Sequence, residues 1–147
     1  RPLPLLVADI PENVIDGILK EQQISDVKPL LRLPGYIPNG DLPSVYCGAK
    51  IFLYTSLRES FGIPMLEAMA CGTPVVTYRT GGSPESITYQ TGSVVEQGDY
   101  HTALELIDSM MKLDRNVIRE RTHKRYEARD RYNEYLELYH SMIPSCK

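Results

Sequence analysis

Short apolar runs alternate with segments of helical pattern over most of the chain. The apolar runs predict strands at residues 3–7, 29–33, 51–54, 75–78 and 93–95. The segments between them predict helices at about 11–22, 41–48, 64–71 and 100–111. The run at 51–54 is uninterrupted by polar residues, which is typical of a parallel strand covered on both faces. This alternation predicts an α/β fold with a parallel sheet.

The pattern changes after Asp114. Seven arginine and lysine residues lie between Arg115 and Arg131, interleaved with acidic residues. A stripe at helical spacing follows, made of Tyr132, Tyr135, Leu136 and Tyr139. The pattern predicts a solvated helix, then a helix whose stripe packs on the core or on a neighbouring domain. A basic amphipathic helix at a membrane surface is the alternative, which the mixed charges weaken.

Composition narrows the class of protein. The 147 residues are 42% hydrophobic and 24% charged, as in an ordinary globular domain with a proper core. A net charge of −3 favours no nucleic-acid partner. No window approaches the ~18 apolar residues of a membrane span, and no signal peptide is recognisable. Three cysteines without a C-x-x-C spacing predict reduced thiols in a cytosolic protein.

The stretch 57–76 carries the candidate chemistry. Glu59 and Glu67 stand with seven residues between them, on either side of a turn and the start of a helix. Pro64 suits the first helical turn, and Gly72 suits the helix end. Because Glu59 follows a predicted strand, it falls on the sheet edge where α/β proteins bind ligands. The helix start directs free N–H groups and a positive dipole end at the same space, which suits a phosphate or diphosphate.

The residue types at this edge indicate a sugar joined to a nucleotide through phosphates. The carboxylate of Glu67 suits the paired hydroxyls of a ribose, and that of Glu59 suits a sugar. The competing interpretation is two unrelated surface acids. Against it, Glu67 lies among apolar helix residues, where a charged group needs a partner. Backbone N–H groups are offered by Ser60, Phe61, Gly62 and Ile63.

The stretch from Glu59 to Val76 resembles the E-x7-E signature of the retaining glycosyltransferases of family 4, which have the GT-B fold. The flanking segments 34–37, 42–46, 49–50, 81–85, 92–95 and 98–99 resemble the family as well. The resemblance covers roughly residues 30–111. It implies a Rossmann-like parallel sheet flanked by helices, the C-terminal half of a GT-B fold, with extra C-terminal helices. Residues 1–113 would then be the nucleotide-sugar donor-binding domain, and 114–147 a C-terminal helical segment.

The resemblance also implies roles. Glu59 would contact the donor sugar and support the transition state, and Glu67 would bind the donor ribose. The backbone amides from Ser60 to Ile63 would hold sugar hydroxyls or phosphate, and the backbone around Tyr36 and Ile37 would lie near the base. The reaction would transfer a hexosyl group with retained anomeric configuration from a UDP- or GDP-linked donor, without a metal or other cofactor. The acceptor would be a glycan or a lipid-linked glycan, and the protein would be cytoplasmic, with peripheral association at the inner face of the membrane.

Two parts of the family's proteins are not found in this sequence. The family's first strand–helix unit of this domain, with an Arg and a Lys that grip the diphosphate, and its N-terminal acceptor domain have no counterpart here. We therefore expect transferase activity from the full-length protein and none from these 147 residues alone. Two alternatives stay open: a non-catalytic sugar-nucleotide or protein-binding module, and a GT-B-type sugar-nucleotide epimerase. Intact Glu59 and Glu67 favour the transferase. Gly81-Gly82 predicts a tight turn, and the three histidines lack metal-ligand spacing.

Overall fold

The structure is a computed structural model that describes residues 4–8, 10–24 and 26–143. The chain forms two compact units, Arg1–Leu42 and Pro43–Lys147. In the first, strands β1 (Leu5–Ala8) and β2 (Leu31–Gly35) pair in parallel, with Leu5 opposite Leu31. Helix α1 (Glu12–Glu21) confirms the predicted helix, and a single 3-10 turn (Lys28–Leu30) precedes β2. Of the apolar residues of α1, only Ile15 is buried.

The second unit contains three parallel strands in the order β3–β4–β5, with helices before, between and after them. In chain order its elements are α2 (Leu42–Gly48), β3 (Phe52–Tyr54), α3 (Ile63–Ala70), β4 (Val75–Tyr78), α4 (Ser83–Ser86), β5 (Gly92–Val95), α5 (Tyr100–Met110), α6 (Arg115–Tyr126) and α7 (Ala128–Met142). The α/β class is confirmed. Hydrogen bonding gives two parallel sheets where a single sheet was predicted, because each sheet forms from strands within one unit.

Strand β4 is the buried centre of the second unit. All four of its residues are buried, whereas β3 is only half-buried along its length. The prediction that β3 is covered on both faces is therefore not confirmed, because none of its residues is fully buried. Helix α5 packs Ala103 against Val76, Tyr78 and Val95.

Helix α3, which carries Glu67, buries one side in the apolar core. Its side chains Met65, Ala68 and Met69 are fully buried. Helix α6 packs on α3 and contributes the fully buried Ile118. The core beneath the candidate site thus depends on α6, which the charge pattern alone predicted to be solvated.

The last helices behave differently from each other. Asp114 caps α6, its side chain accepting hydrogen bonds from the amides of Asn116 and Val117 at 2.8 and 3.4 Å. Helix α7 has no buried residue, and Tyr132, Tyr135 and Tyr139 are each more than half exposed. The alternative in which this stripe packs on the chain's own core is wrong; packing on a neighbouring domain stays a prediction.

The predicted loop 79–84 gives way to one helical turn at Ser83, where α4 begins. Cys47 and Cys71 are free thiols, and Cys146 lies outside the described residues. Among the described helices, none has the length and apolar character needed to span a bilayer.

Candidate functional site

Glu59 lies in the loop between β3 and α3 and is held on both of its carboxylate oxygens. One oxygen, Oε1, accepts hydrogen bonds from the backbone amides of Ser60 and Phe61 at 2.8 and 3.2 Å. The other, Oε2, accepts a hydrogen bond from the hydroxyl of Tyr54, the last residue of β3. The side chain is therefore folded back on its own loop.

These bonds lower the pKa of Glu59 below its usual value of 4.5. The Tyr54 hydroxyl is the largest cause, and the amides of Phe61, Ser60 and Gly62 act in the same direction. Partial burial of the carboxyl opposes them. Glu59 is thus an ionised acceptor at neutral pH, suited to receive a hydrogen bond from a ligand hydroxyl.

Gly62 makes the turn into α3. It has a φ of +89°, a left-handed conformation that side chains rarely adopt, and a Cβ there would collide with the Met65 side chain. Its carbonyl accepts the first helical bond, from the Met65 amide at 3.0 Å. Ile63 and Pro64 open the helix, so the positive end of α3 lies directly after the Glu59 loop.

Glu67 is the fifth residue of α3 and is exposed. Its Oε2 accepts a hydrogen bond from the hydroxyl of Tyr46 on α2, at 3.3 Å. Burial first, and then the negative charge of Glu67, raise the pKa of Tyr46 to about 12, so the phenol keeps its proton. Because Glu67 is exposed, the expectation that apolar surroundings would require a partner for it is wrong, although Tyr46 does donate to it.

The two tyrosines are joined through a third ring. Phe52 contacts Tyr46 edge-on, with 5.4 Å between ring centroids, and stacks on Tyr54 at 5.8 Å. Aromatic pairs at these distances are favourable. A continuous aromatic row therefore runs from the partner of Glu67 to the partner of Glu59.

The loop after β4 is hydrogen-bonded to the loop that carries Glu59. The Gly82 amide donates to the Ser60 carbonyl at 2.8 Å, and the Glu59 amide donates to Thr80 Oγ1 at 3.4 Å. Gly81 has a φ of +47°, and a Cβ on it would overlap the backbone carbonyl of Glu59. Besides forming a turn, Gly81-Gly82 thus allows the loop after β4 to contact the backbone of the Glu59 loop.

The predicted site residues fall into two groups. Glu59 and the loop that follows it lead into α3, and Glu67 is the fifth residue of that helix. Tyr36 and Ile37 belong to the other unit, where Tyr36 is 75% exposed and Ile37 is buried. That they lie near a donor base stays a prediction. In the structure, the amides of Ser60 and Phe61 serve Glu59 itself.

Sequence reasoning missed the partners of both glutamates. Tyr46 stands 21 positions before Glu67, and no sequence period links them. Tyr54 ends the strand that leads to Glu59 and was interpreted only as a strand residue. Tyr126 at the end of α6 was also missed; its ring meets that of Phe61 edge-on at 6.2 Å. Among the described residues, no group of three or more His, Cys, Asp and Glu side chains is arranged to hold a metal.

Comparison with known proteins gives the family and the fold of this chain. The sequence profile of the family described as glycosyl transferases group 1 matches residues 19–131, well over half of the chain. The chain belongs to the group 1 glycosyl transferases. Sucrose-phosphate synthase from Thermosynechococcus elongatus shares the fold: it superposes with a TM-score of 0.72 at 26% identity, over 94% of this chain and 39% of that one.

Other proteins are similar to this chain in sequence or in fold. The O-antigen chain mannosyltransferase B of Escherichia coli is 44% identical over 69 residues, which are 47% of this chain and 18% of that protein. The N-acetyl-alpha-D-glucosaminyl L-malate synthase of Bacillus anthracis is 33% identical over 97% of this chain and 38% of that protein. HepE of Anabaena, solved with UDP, shares the fold with a TM-score of 0.70 at 20% identity, over 95% of this chain and 41% of that one. The chain thus spans well under half the length of these relatives.

Proposed function

We propose that this chain binds the donor in a retaining glycosyltransferase that takes a sugar from a nucleotide-sugar. The observation that carries the proposal is the pair of carboxylates on either side of the start of α3, each accepting a tyrosine hydroxyl. The proposal gives Glu59 to the donor sugar and Glu67 to the ribose. Membership of the group 1 family and the UDP held by HepE support a nucleotide-sugar as ligand.

The hydrogen-bonding capacity of the two carboxylates fits this division. An ionised carboxylate has roughly four acceptor positions. Glu59 already accepts hydrogen bonds from Tyr54, Ser60 and Phe61, so it has less capacity left for a ligand than Glu67 has. Glu67 accepts one bond, from Tyr46, which leaves room for both hydroxyls of a ribose.

The start of α3 suits the phosphates. The helix dipole favours negative charge at its N-terminal turn, where the amide of Ile63 has no partner within the helix. Ile63 is 61% exposed, so a ligand can approach the turn. The family resemblance implies that an Arg and a Lys would supply the cations for the diphosphate.

In the proposed reaction, the acceptor hydroxyl attacks the anomeric carbon on the face from which the nucleoside diphosphate leaves. The bond from that carbon to the phosphate oxygen breaks, and the diphosphate leaves with the electron pair and takes the acceptor proton. Glu59, holding a sugar hydroxyl, stabilises the positive charge that develops on the ring. No metal or other cofactor is assigned a role.

For the full-length protein we propose a glycan or lipid-linked glycan as acceptor, bound outside these residues. The E. coli relative is named for transfer to an O-antigen chain, which supports an acceptor of this class. Such an acceptor would bring the protein to the inner face of a membrane. Co-sedimentation of the full-length protein with anionic vesicles tests the location, and no binding at low salt would refute it.

A panel of UDP-, GDP- and ADP-sugars in a thermal-shift assay tests the donor. We expect one nucleotide class to raise the melting temperature selectively. In the full-length protein, Glu59→Gln should lower kcat with little change in donor KM, and Glu67→Gln should chiefly raise donor KM.

The matched control is Glu105→Gln, which changes an exposed glutamate on α5 outside the site. If the Glu59 and Glu67 variants both behave like this control, the site assignment is wrong. Donor binding without any turnover by the full-length protein would instead indicate the non-catalytic binding module. Interconversion of two nucleotide-sugars in the absence of an acceptor would indicate the epimerase.

A further inference from the structure

Both carboxylates of the site lie where a free glutamate would sample many rotamers. Glu67 is exposed on α3, and Glu59 is half-buried on a loop. A carboxylate that must meet one ligand hydroxyl in one geometry gains from being fixed before the ligand arrives. The side chains that fix these two are therefore functional candidates.

Each carboxylate is fixed by a tyrosine from a different element. Tyr54 at the end of β3 donates to Glu59, and Tyr46 on α2 donates to Glu67 at 3.3 Å. The amides of Ser60 and Phe61 hold only Oε1 of Glu59, so Tyr54 is the group that fixes the second oxygen. Without that hydroxyl, Oε2 has no donor among the described residues.

The tyrosine rings are themselves held in place. Phe52 lies between them, edge-on to Tyr46 and stacked on Tyr54. The carbonyl of Tyr46 accepts a hydrogen bond from Thr73 Oγ1 at 2.5 Å, which fastens α2 to the start of β4. The hydroxyls are thus presented by a packed row of rings, as a positioning group requires.

We propose that Tyr54 and Tyr46 are positioning residues, which orient Glu59 toward the donor sugar and Glu67 toward the donor ribose respectively. This inference rests on the proposed function of the two glutamates. Burial raises the pKa of both phenols, so each remains a donor while its carboxylate is ionised. The two tyrosines should have separable effects, because their carboxylates serve different parts of the donor.

Kinetics of the full-length protein test the separation. Tyr54→Phe keeps the ring and removes the hydroxyl, and should lower kcat about tenfold to a hundredfold, as expected for one lost hydrogen bond to a charged group, with donor KM unchanged. Tyr46→Phe should raise donor KM by a similar factor with kcat nearly unchanged. Tyr89→Phe is the matched control, because Tyr89 is 82% exposed and outside the site.

Carbon-13 NMR of the Glu59 carboxyl gives a readout independent of turnover. Tyr54→Phe should raise the pKa of Glu59, and Tyr46→Phe should leave it in place. Difluorotyrosine at position 54, a stronger donor of the same shape, should lower the pKa of Glu59 further. A merely structural role for Tyr54 would change the melting temperature without these opposite shifts.

The outcomes separate the two levels of the argument. If Glu59→Gln lowers kcat and Glu67→Gln raises donor KM while Tyr54→Phe and Tyr46→Phe match Tyr89→Phe, the positioning role is refuted and the proposed function stands. If the glutamate variants also match the control, the proposed function falls with it. If Tyr54→Phe does not fold, an unchanged pKa of Glu59 in the difluorotyrosine protein refutes the positioning role.

Discussion

Replacing Gly81 by alanine should displace the Glu59 loop. Gly81 has a φ of +47°, and a Cβ built on it overlaps the backbone carbonyl of Glu59 and lies 2.9 Å from that of Ser60. The atoms it meets are backbone, so no side chain can rotate away to make room. The loop carrying Glu59 must move, or the turn at Gly81 must open.

The magnitude can be worked out by comparison with Gly98. Gly98 has a φ of +86° and nothing within 4 Å of a built Cβ, so Gly98→Ala tests left-handed strain alone. That strain costs roughly 1–2 kcal/mol. Gly81→Ala adds an overpacking cost of about 1–3 kcal/mol, so its total loss should be about 2–5 kcal/mol. For a chain of this size we expect a fall in melting temperature of about 3 °C per kcal/mol.

Urea denaturation followed by far-UV circular dichroism measures both variants against the wild type. Gly81→Ala should also lose donor-induced thermal stabilisation, because Glu59 leaves its position, whereas Gly98→Ala should keep it. Equal stability losses in the two variants, with donor stabilisation intact in both, would refute the reasoning that the Gly81 turn supports the site.

Four further predictions follow from the same structure. Arg115 donates to the carbonyls of Ala49 and Cys47 and to Thr73 Oγ1 at 2.7–2.9 Å, so Arg115→Met should lower the free energy of unfolding by about 2–3 kcal/mol in urea denaturation. The control is Arg119→Met, which loses one hydrogen bond at 3.4 Å, and an equal loss of stability in this variant would contradict the account. Ile118→Ala leaves a cavity at a fully buried position between α6 and α3 and should lower the free energy of unfolding by about 2–4 kcal/mol in the same assay. A loss under about 1 kcal/mol would show that neighbouring side chains close the cavity. Tyr135→Ser on the exposed face of α7 should change the stability of this chain by less than about 0.5 kcal/mol, and a larger loss would place that ring in a packed environment. Because folding lowers the pKa of Glu59, its ionised form stabilises the folded state above pH 4.5, and this stability is lost as the pH falls through the pKa of the folded protein. An NMR titration of the Glu59 carboxyl should therefore have its midpoint below pH 4.5, and a midpoint at or above that value would contradict the observed hydrogen bonds.

The order of elements was largely predictable from local pattern. The runs at 51–54 and 75–78 coincide closely with β3 and β4, and Asp99 and Asp114 cap α5 and α6 as acidic N-caps do. These features depend on neighbouring residues only. The spacing of Glu59 and Glu67 around a helix start was likewise visible, because Pro64 and Gly72 mark the helix ends.

Burial was less predictable. Apolar periodicity suggested that the stripe on α7 packs on another surface, yet it is exposed in this chain, and β3 is only half-buried along its length. Conversely, the charge-rich α6 supplies the fully buried Ile118. A sequence pattern states which face is apolar, but what covers that face depends on elements distant in the chain.

By itself, the sequence determined the α/β class, the position of the two carboxylates and the glycine turns around them, since each follows from contiguous residues. Only the tertiary structure decided how the carboxylates are held. Tyr46 reaches Glu67 across 21 positions, and the Gly81 turn meets the Glu59 loop backbone to backbone. Such contacts arise when the strands and helices pack, and hydrogen bonds and close approaches of this kind leave no period in the sequence.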